Sequence, residues 1–281
     1  MNEAAEGLLA WFAERGRHDL PWRRDPSPYR VLVSEFMLQQ TQVERVIAIF
    51  ETFVERFPNF GALAAATTSD VVRAWRGLGY NTRAVRLQRV AVAVVERYGE
   101  DLPPEREALL ALPGIGPYTA SAIRAFAFNL DDVALDTNLR RIEERLGLRL
   151  EVPAGAGFAW NSAMMDLGAT VCTARAPKCL LCPLRHRCAA APIDAAQLAK
   201  MQRARPRAAR MRFEETTRYV RGRIVDCLRD LPPGRAISLL DLHAALAPQL
   251  GARGPDQVAD LVSALERDGV VHCADEQVRL A

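Results

Sequence analysis

Lysine is almost absent from this chain. Of its 37 basic residues only Lys178 and Lys200 are lysine, and the other 35 are arginine. Chemistry that needs a side-chain amine therefore has two places to come from. Long apolar runs are missing as well. None approaches the roughly 20 residues of a membrane-spanning helix, so no such helix is expected. The start, Met1-Asn2-Glu3, has neither the basic segment nor the apolar core of a secretion signal. A cytoplasmic protein is expected, with free thiols rather than disulfides. Charge of one sign is not in excess either. A net charge of +3 leaves the choice of partner open. What is present in quantity is apolar substance, 49% of 281 residues, enough for two packed units or one large unit with an appendage.

Most of the chain reads as helix. Apolar residues recur at helical spacing over 3–15, 29–40, 43–56, 69–76, 82–98, 105–111, 117–128, 137–146 and 157–170. Pro26, Pro28, Pro58, Gly77, Gly79, Pro103, Pro104 and Gly147 punctuate them. No internal repeat is visible. Composition changes near Ala189, which divides the chain into 1–190, a linker at 191–212 and a small unit at 213–281. Within the linker, Lys200, Arg203, Arg205, Arg207, Arg210 and Arg212 stand without an acid among them. That stretch is either a solvated basic linker or an electrostatic arm for nucleic acid. The small unit carries helical patterns over about 214–230, 238–247 and 255–268. A hairpin pattern follows, with Ala274-Asp275-Glu276 as its turn. Three helices and a hairpin suggest a winged-helix-like α+β domain, a fold that serves DNA and protein binding alike.

Four of the six cysteines, Cys172, Cys179, Cys182 and Cys188, form a C-x6-C-x2-C-x5-C run. Thiolates so close in one loop suit a single metal centre. Zinc ribbons usually supply two C-x2-C pairs and this run has one, while four thiolates also suit a [4Fe-4S] cluster; the spacing leaves both open. Cys227 and Cys273 are isolated and read as small apolar residues.

Leu112-Pro113-Gly114-Ile115-Gly116-Pro117-Tyr118 is a tight turn between two helical patterns. Gly114 and Gly116 permit backbone geometry that other residues resist, and Pro117 suits the first turn of a helix whose outward N–H groups can bind an anion. A plain helical hairpin fits the same residues. Asp136 precedes a helix, where aspartate is a good N-cap. Glu35 is more unusual. It interrupts the apolar run Val31 to Leu38, so it either edges a core or lines a pocket. In a pocket, burial would raise its pKa toward that of a general acid at neutral pH. Tyr118, one residue into the second hairpin helix, is either packing or a hydroxyl aimed at the Asp136 region.

Taken in order, these segments resemble the helix-hairpin-helix DNA glycosylases that carry an iron–sulfur cluster, and within them the MutY-type adenine glycosylases. The resemblance runs over about 5–190. It rests on Leu20 to Arg23, Ser34 to Val43, Gly77 to Tyr80, Leu112 to Thr119, Leu135 to Asn138, Met164 to Ala169 and the cysteine run. It implies a mainly α, two-lobed fold, a monomer, and a nucleoid-associated enzyme acting on duplex DNA with a mispair or lesion. It implies Glu35 as the acid that protonates adenine, Asp136 as the carboxylate that stabilises the cationic sugar, and Tyr118 and Asn138 as supporting groups. Gln40 and Tyr80 match residues that wedge into the base stack. Gln39, Gly114 and Gly116 belong to the implied DNA surface, and Leu20, Trp22 and Arg23 to the wall of the adenine pocket. The four cysteines match the ligands of a [4Fe-4S] cluster.

The resemblance has a departure and a competitor. Relatives that also nick DNA resemble endonuclease III and place a lysine where this chain has Tyr118, so base removal with little or no strand cleavage is expected. MutY-type enzymes usually carry a C-terminal domain that reads 8-oxoguanine opposite the adenine. The 213–281 segment does not resemble it. Thymine or uracil glycosylases acting at G·T or G·U mismatches share the tyrosine, the aspartate and the cysteines, and form the alternative. Glu35 favours adenine, because thymine has no N7 to protonate. A non-enzymatic DNA-binding scaffold is the remaining reading, but a pure binder has no use for Glu35 and Asp136 together.

Overall fold

Helix boundaries follow from local chemistry. Side-chain oxygens of Asn59, Thr67, Asp136, Thr216 and Ser238 accept from the backbone N–H three residues on. Each such cap contributes about 1 kcal/mol. Pro21 and Pro117 open helices, and Gly99 and Gly147 close them in the left-handed conformation. The computed structural model describes residues 3–191, 193, 197, 199 and 212–281. The basic run from Lys200 to Arg210 lies outside the described residues.

The helices are α1 (Glu3–Arg15), α2 (Pro21–Arg24), α3 (Pro28–Leu38), α4 (Val43–Arg56), α5 (Phe60–Ala65), α6 (Thr68–Ala74), α7 (Thr82–Tyr98), α8 (Arg106–Leu110), α9 (Pro117–Phe128), α10 (Thr137–Leu146), α11 (Gly157–Thr170), α12 (Thr217–Asp230), α13 (Leu239–Leu250) and α14 (Pro255–Arg267). The short α2 and α5 lie where the sequence pattern gave no helix. The protein is mainly helical, and no described helix is long and apolar enough to cross a membrane. The strands are β1 (Ile237–Ser238), β2 (Val271–Ala274) and β3 (Gln277–Leu280), in the antiparallel order β1-β3-β2. β2 and β3 form the expected hairpin, with Cys273 opposite Val278. The two-residue β1 was not expected; Ile237 also pairs with Val278.

The chain divides into two compact units, Met1–Glu35 with Leu102–Arg207, and Phe36–Asp101 with Ala208–Ala281. In the first, Leu8 and Phe12 of α1 join Leu139, Ile142 and Leu146 of α10 and Trp160, Met164 and Leu167 of α11 in one apolar core. α8 and α9 flank the hairpin turn, in which Gly114 takes φ 83°. In the second unit Phe53 packs edge-on against Trp75, with ring centroids 5.7 Å apart. The C-terminal helices are fastened to the α6–α7 segment of the same unit. Buried Arg229 of α12 donates to the Val72 carbonyl through Nε at 3.0 Å and Nη2 at 2.8 Å, and to Asn81 Oδ1 at 2.7 Å. Arg73 returns the contact to the Leu231 carbonyl at 2.9 Å, and Arg76 pairs with Asp230.

Candidate active site

The first unit brings two carboxylates, a tyrosine and an asparagine together. α3 delivers Glu35 from an apolar stretch, and its side chain is buried at 7% exposure. Burial raises the Glu35 pKa from its ordinary 4.5 to about 7; a hydrogen bond from Tyr118 lowers it, and the nearby Asp136 charge raises it again. Glu35 thus carries its proton for a useful part of the time at neutral pH. The Tyr118 hydroxyl is pushed well above its ordinary pKa, first by burial and then by the two carboxylates, so it remains a donor.

Asp136 is both a cap and a site group. Its Oδ1 accepts from the Leu139 N–H at 2.7 Å, and its Oδ2 accepts from Asn138 Nδ2 at 2.9 Å. Both oxygens of the carboxylate are thus held by donors from its own helix. Asn138 is itself oriented from outside. Arg141 Nη2 donates to Asn138 Oδ1 and to the Gly168 carbonyl, both at 2.8 Å, while its Nε reaches the Cys172 carbonyl at 2.9 Å. Gly168 has to be glycine for this, because a Cβ there would lie 2.6 Å from Asn138 Cβ. The segment leading into Asp136 is pinned by the fully buried Asn161. Its Oδ1 accepts from the Ala134 N–H at 2.9 Å, and its Nδ2 donates to the Asp132 and Gly157 carbonyls at 2.9 and 2.7 Å. Sequence reasoning missed Arg141 and Asn161. The motif containing Gly168 was recognised without a reason for the glycine.

Leu20 and Trp22 are buried at 7% and 8% exposure. The Arg23 guanidinium is held by Asp166, through Nη1 at 2.8 Å and Nη2 at 3.1 Å. Arg17 completes that arrangement with its backbone N–H at 2.8 Å and its Nε at 2.7 Å. Burial would raise the Asp166 carboxyl, but Arg23 and Arg17 outweigh it and hold its pKa below the ordinary value. This clamp fixes the α1–α2 loop to α11.

Cys172, Cys179, Cys182 and Cys188 are half-buried free thiols that line one small cavity. Arg145 Nη1 lies 3.2 Å from Cys172 Sγ, and Cys188 Sγ lies 3.2 Å from the Arg145 carbonyl. Among the described residues no group of three or more His, Cys, Asp or Glu side chains stands at metal-binding spacing.

Gln39, Gln40 and Tyr80 lie in the second unit. Gln40 and Tyr80 take φ 55° and 45°, a left-handed conformation that non-glycine residues seldom adopt. Buried Arg83 ties their two loops together. Its Nη1 donates to the carbonyls of Phe36, Met37 and Gln39 at 2.6–2.9 Å, and its Nη2 to Thr41 Oγ1, Leu78 O and Gly79 O at 2.9–3.1 Å. Burial lowers its pKa to about 10, still far above neutrality. Arg83 too was missed by sequence reasoning.

Residues 33–154, from the helix of Glu35 past Asp136, match the family described as HhH-GPD superfamily base excision DNA repair protein. The chain is 41% identical over 241 residues to an adenine DNA glycosylase of Mycolicibacterium smegmatis, covering 79% of each chain. It is 40% identical over 256 residues to that of Mycobacterium tuberculosis, covering 82% of this chain and 80% of the relative. Among solved structures it resembles a thermostable thymine-DNA glycosylase, with a TM-score of 0.62 and 28% identity over 70% of this chain and 95% of that one. A DNA complex of endonuclease III shares the fold, with a TM-score of 0.58 and 22% identity over 71% and 95%. With a buried carboxyl beside a capped carboxylate, and with relatives this similar over this much of their length, the chain belongs to the adenine DNA glycosylase family of helix-hairpin-helix base-excision repair enzymes.

Proposed function

We propose that the protein removes adenine mispaired with 8-oxoguanine or guanine from duplex DNA, by flipping the base out and hydrolysing its N-glycosidic bond with acid assistance. The observation that carries this reading is Glu35, a buried carboxyl with its pKa near 7 beside Asp136. Flipping costs a few kcal/mol of stacking, which Gln40 and Tyr80 offset by filling the vacated space. Glu35 gives its proton to N7 of adenine as the bond between N9 and the sugar C1′ breaks and its electron pair moves into the base. Asp136, oriented by the Leu139 N–H and Asn138, stabilises the cationic sugar until water adds at C1′ and its released proton restores the acid form of Glu35. This is two-carboxylate glycoside hydrolysis carried over to a nucleoside. Position 118, where the resemblance puts the lysine of strand-nicking relatives, is tyrosine here, so little or no strand cleavage is expected.

The cysteine run is proposed to hold a [4Fe-4S] cluster through Cys172, Cys179, Cys182 and Cys188. The shared cavity and the Arg145 cation beside Cys172 suit a centre that carries thiolate charge. Such a cluster cross-links the 172–188 loop and adds no step to the hydrolysis. Iron and sulfide analysis should return four of each per chain. Residues 213–281 are proposed to form a winged-helix-like domain, and the protein to work on DNA as a cytoplasmic, nucleoid-associated monomer.

The likeness to a thymine-DNA glycosylase supports a second reading, excision at G·T or G·U mismatches. One experiment separates the two. Duplexes with A opposite 8-oxoguanine, A opposite G, T opposite G and U opposite G are incubated with the protein and treated with alkali. Cleavage confined to the adenine strands is expected. Cleavage confined to T or U would overturn the adenine reading.

A further inference from the structure

The second unit contains an arginine-rich groove that the excision chemistry does not use. Its volume is about 670 Å³, and the loops of Gln40 and Tyr80 form one side and α12 the other. Six arginines line it against two acids, Asp226 and Asp268. The acids are spoken for. Asp268 pairs with Arg221, and Asp226 pairs with Arg223 and Arg229. Arg45, Arg86 and Arg218 are exposed and have no acidic partner among the described residues. Arg218 instead lies over the Tyr80 ring, with its guanidinium carbon 4.7 Å from the ring centroid.

We propose that this groove binds the phosphodiester backbone of DNA, with Arg45, Arg86 and Arg218 as its anion ligands, and that the C-terminal helices thereby complete the DNA surface around Tyr80. Several features fit a polyanion and a nucleobase better than a small solute. Three uncompensated guanidiniums on one open groove present planar donors that match phosphate oxygens. Tyr80 and Gln40, both lining the groove, are held left-handed by Arg83, which is strain stored at one place. Arg218 stacked on Tyr80 sets the ring face from the C-terminal side, so α12 both contacts the backbone and fixes the ring. The groove is anchored rather than loose, because Arg229 ties α12 to Val72 and Asn81. The part of the proposal that concerns Tyr80 rests on reading that residue as the base-stack wedge. The backbone site itself does not.

The test is binding of an undamaged duplex to the full-length protein carrying Glu35→Gln, so that excision plays no part and a failure of the adenine reading is scored separately. Each phosphate contact contributes about 0.9 to the slope of log K against log salt. Arg218→Ala should lower that slope by about 1, and the triple change of Arg45, Arg86 and Arg218 to alanine by about 3. Arg218→Lys keeps the charge, so its slope should stay near that of the parent, while 2-aminopurine placed beside an A·G mispair in a second duplex should report altered stacking. An unchanged slope in the triple variant, with the fold intact by circular dichroism, overturns the proposal and leaves the groove to an acidic protein partner. Inorganic phosphate at constant ionic strength should displace the duplex from the parent and not from the triple variant; phosphate that binds the parent through these arginines and leaves duplex affinity unchanged would assign the groove to a free anion and overturns the backbone reading.

Discussion

Glu35→Gln should make the protein inactive and, above neutral pH, more stable. Burial raises the Glu35 pKa from 4.5 to about 7. The native state therefore binds a proton that the unfolded chain has released between those two values. Stability is lost as pH rises through that window and the loss levels off above it. The difference between 4.5 and about 7 corresponds to about 3 kcal/mol. Glutamine fills the same space without an ionisable group. At pH 8 the variant should exceed the parent by up to about 3 kcal/mol, and at pH 4.5 the two should be close. Urea unfolding at the two pH values measures the difference. Single-turnover excision supplies the other half. The parent rate should fall about tenfold per unit once pH passes the Glu35 pKa, because the proton donor is then the minor species. Identical pH–stability curves for parent and variant, or an excision rate flat from neutral to alkaline pH, would refute the reasoning.

Three further changes probe the supports of the site. Gly168→Ala puts a Cβ within 2.6 Å of Asn138 Cβ, so it should cost about 1–3 kcal/mol in urea unfolding and reduce excision by displacing the Asp136 partner; full activity would show that Asn138 is not held where it is needed. Tyr118→Lys sets an amine beside Glu35 and Asp136, so borohydride should trap a covalent DNA adduct that the parent does not form. Asp166→Asn leaves Arg17 and Arg23 without their shared buried carboxylate and should destabilise the protein by about 3–5 kcal/mol in the same unfolding assay, with a loss under 1 kcal/mol counting against the clamp.

Much of this architecture was legible in the sequence because the helices are long, apolar on one side and closed by proline or glycine. The elements that escaped were short. α2 has four residues, α5 six and β1 two, too few for a period to show. Glu35 stood out because a carboxylate in an apolar run has few explanations. Asp136 gave no choice between cap and catalytic group, and the structure uses one oxygen for the cap and the other for Asn138. The supporting residues were illegible for a different reason. Arg141 reads as a solvated helix residue, yet its partners Gly168 and Cys172 lie 27 and 31 positions away. Arg83 bonds to carbonyls as far as 47 positions off. Nothing local marks an arginine whose task is to satisfy distant backbone oxygens.

The Arg141 connection has a bearing on fidelity. Adenine is an ordinary base, not a lesion, so an enzyme that removes it damages the genome whenever it works at the wrong time. The Asp136 carboxylate is aligned by Asn138, Asn138 by Arg141, and Arg141 by the Cys172 carbonyl. On the proposed role of Asp136, a molecule whose cysteine loop has come undone keeps its Gly168 contact but loses the Cys172 carbonyl that seats Arg141. Such a copy should excise more weakly rather than without restraint.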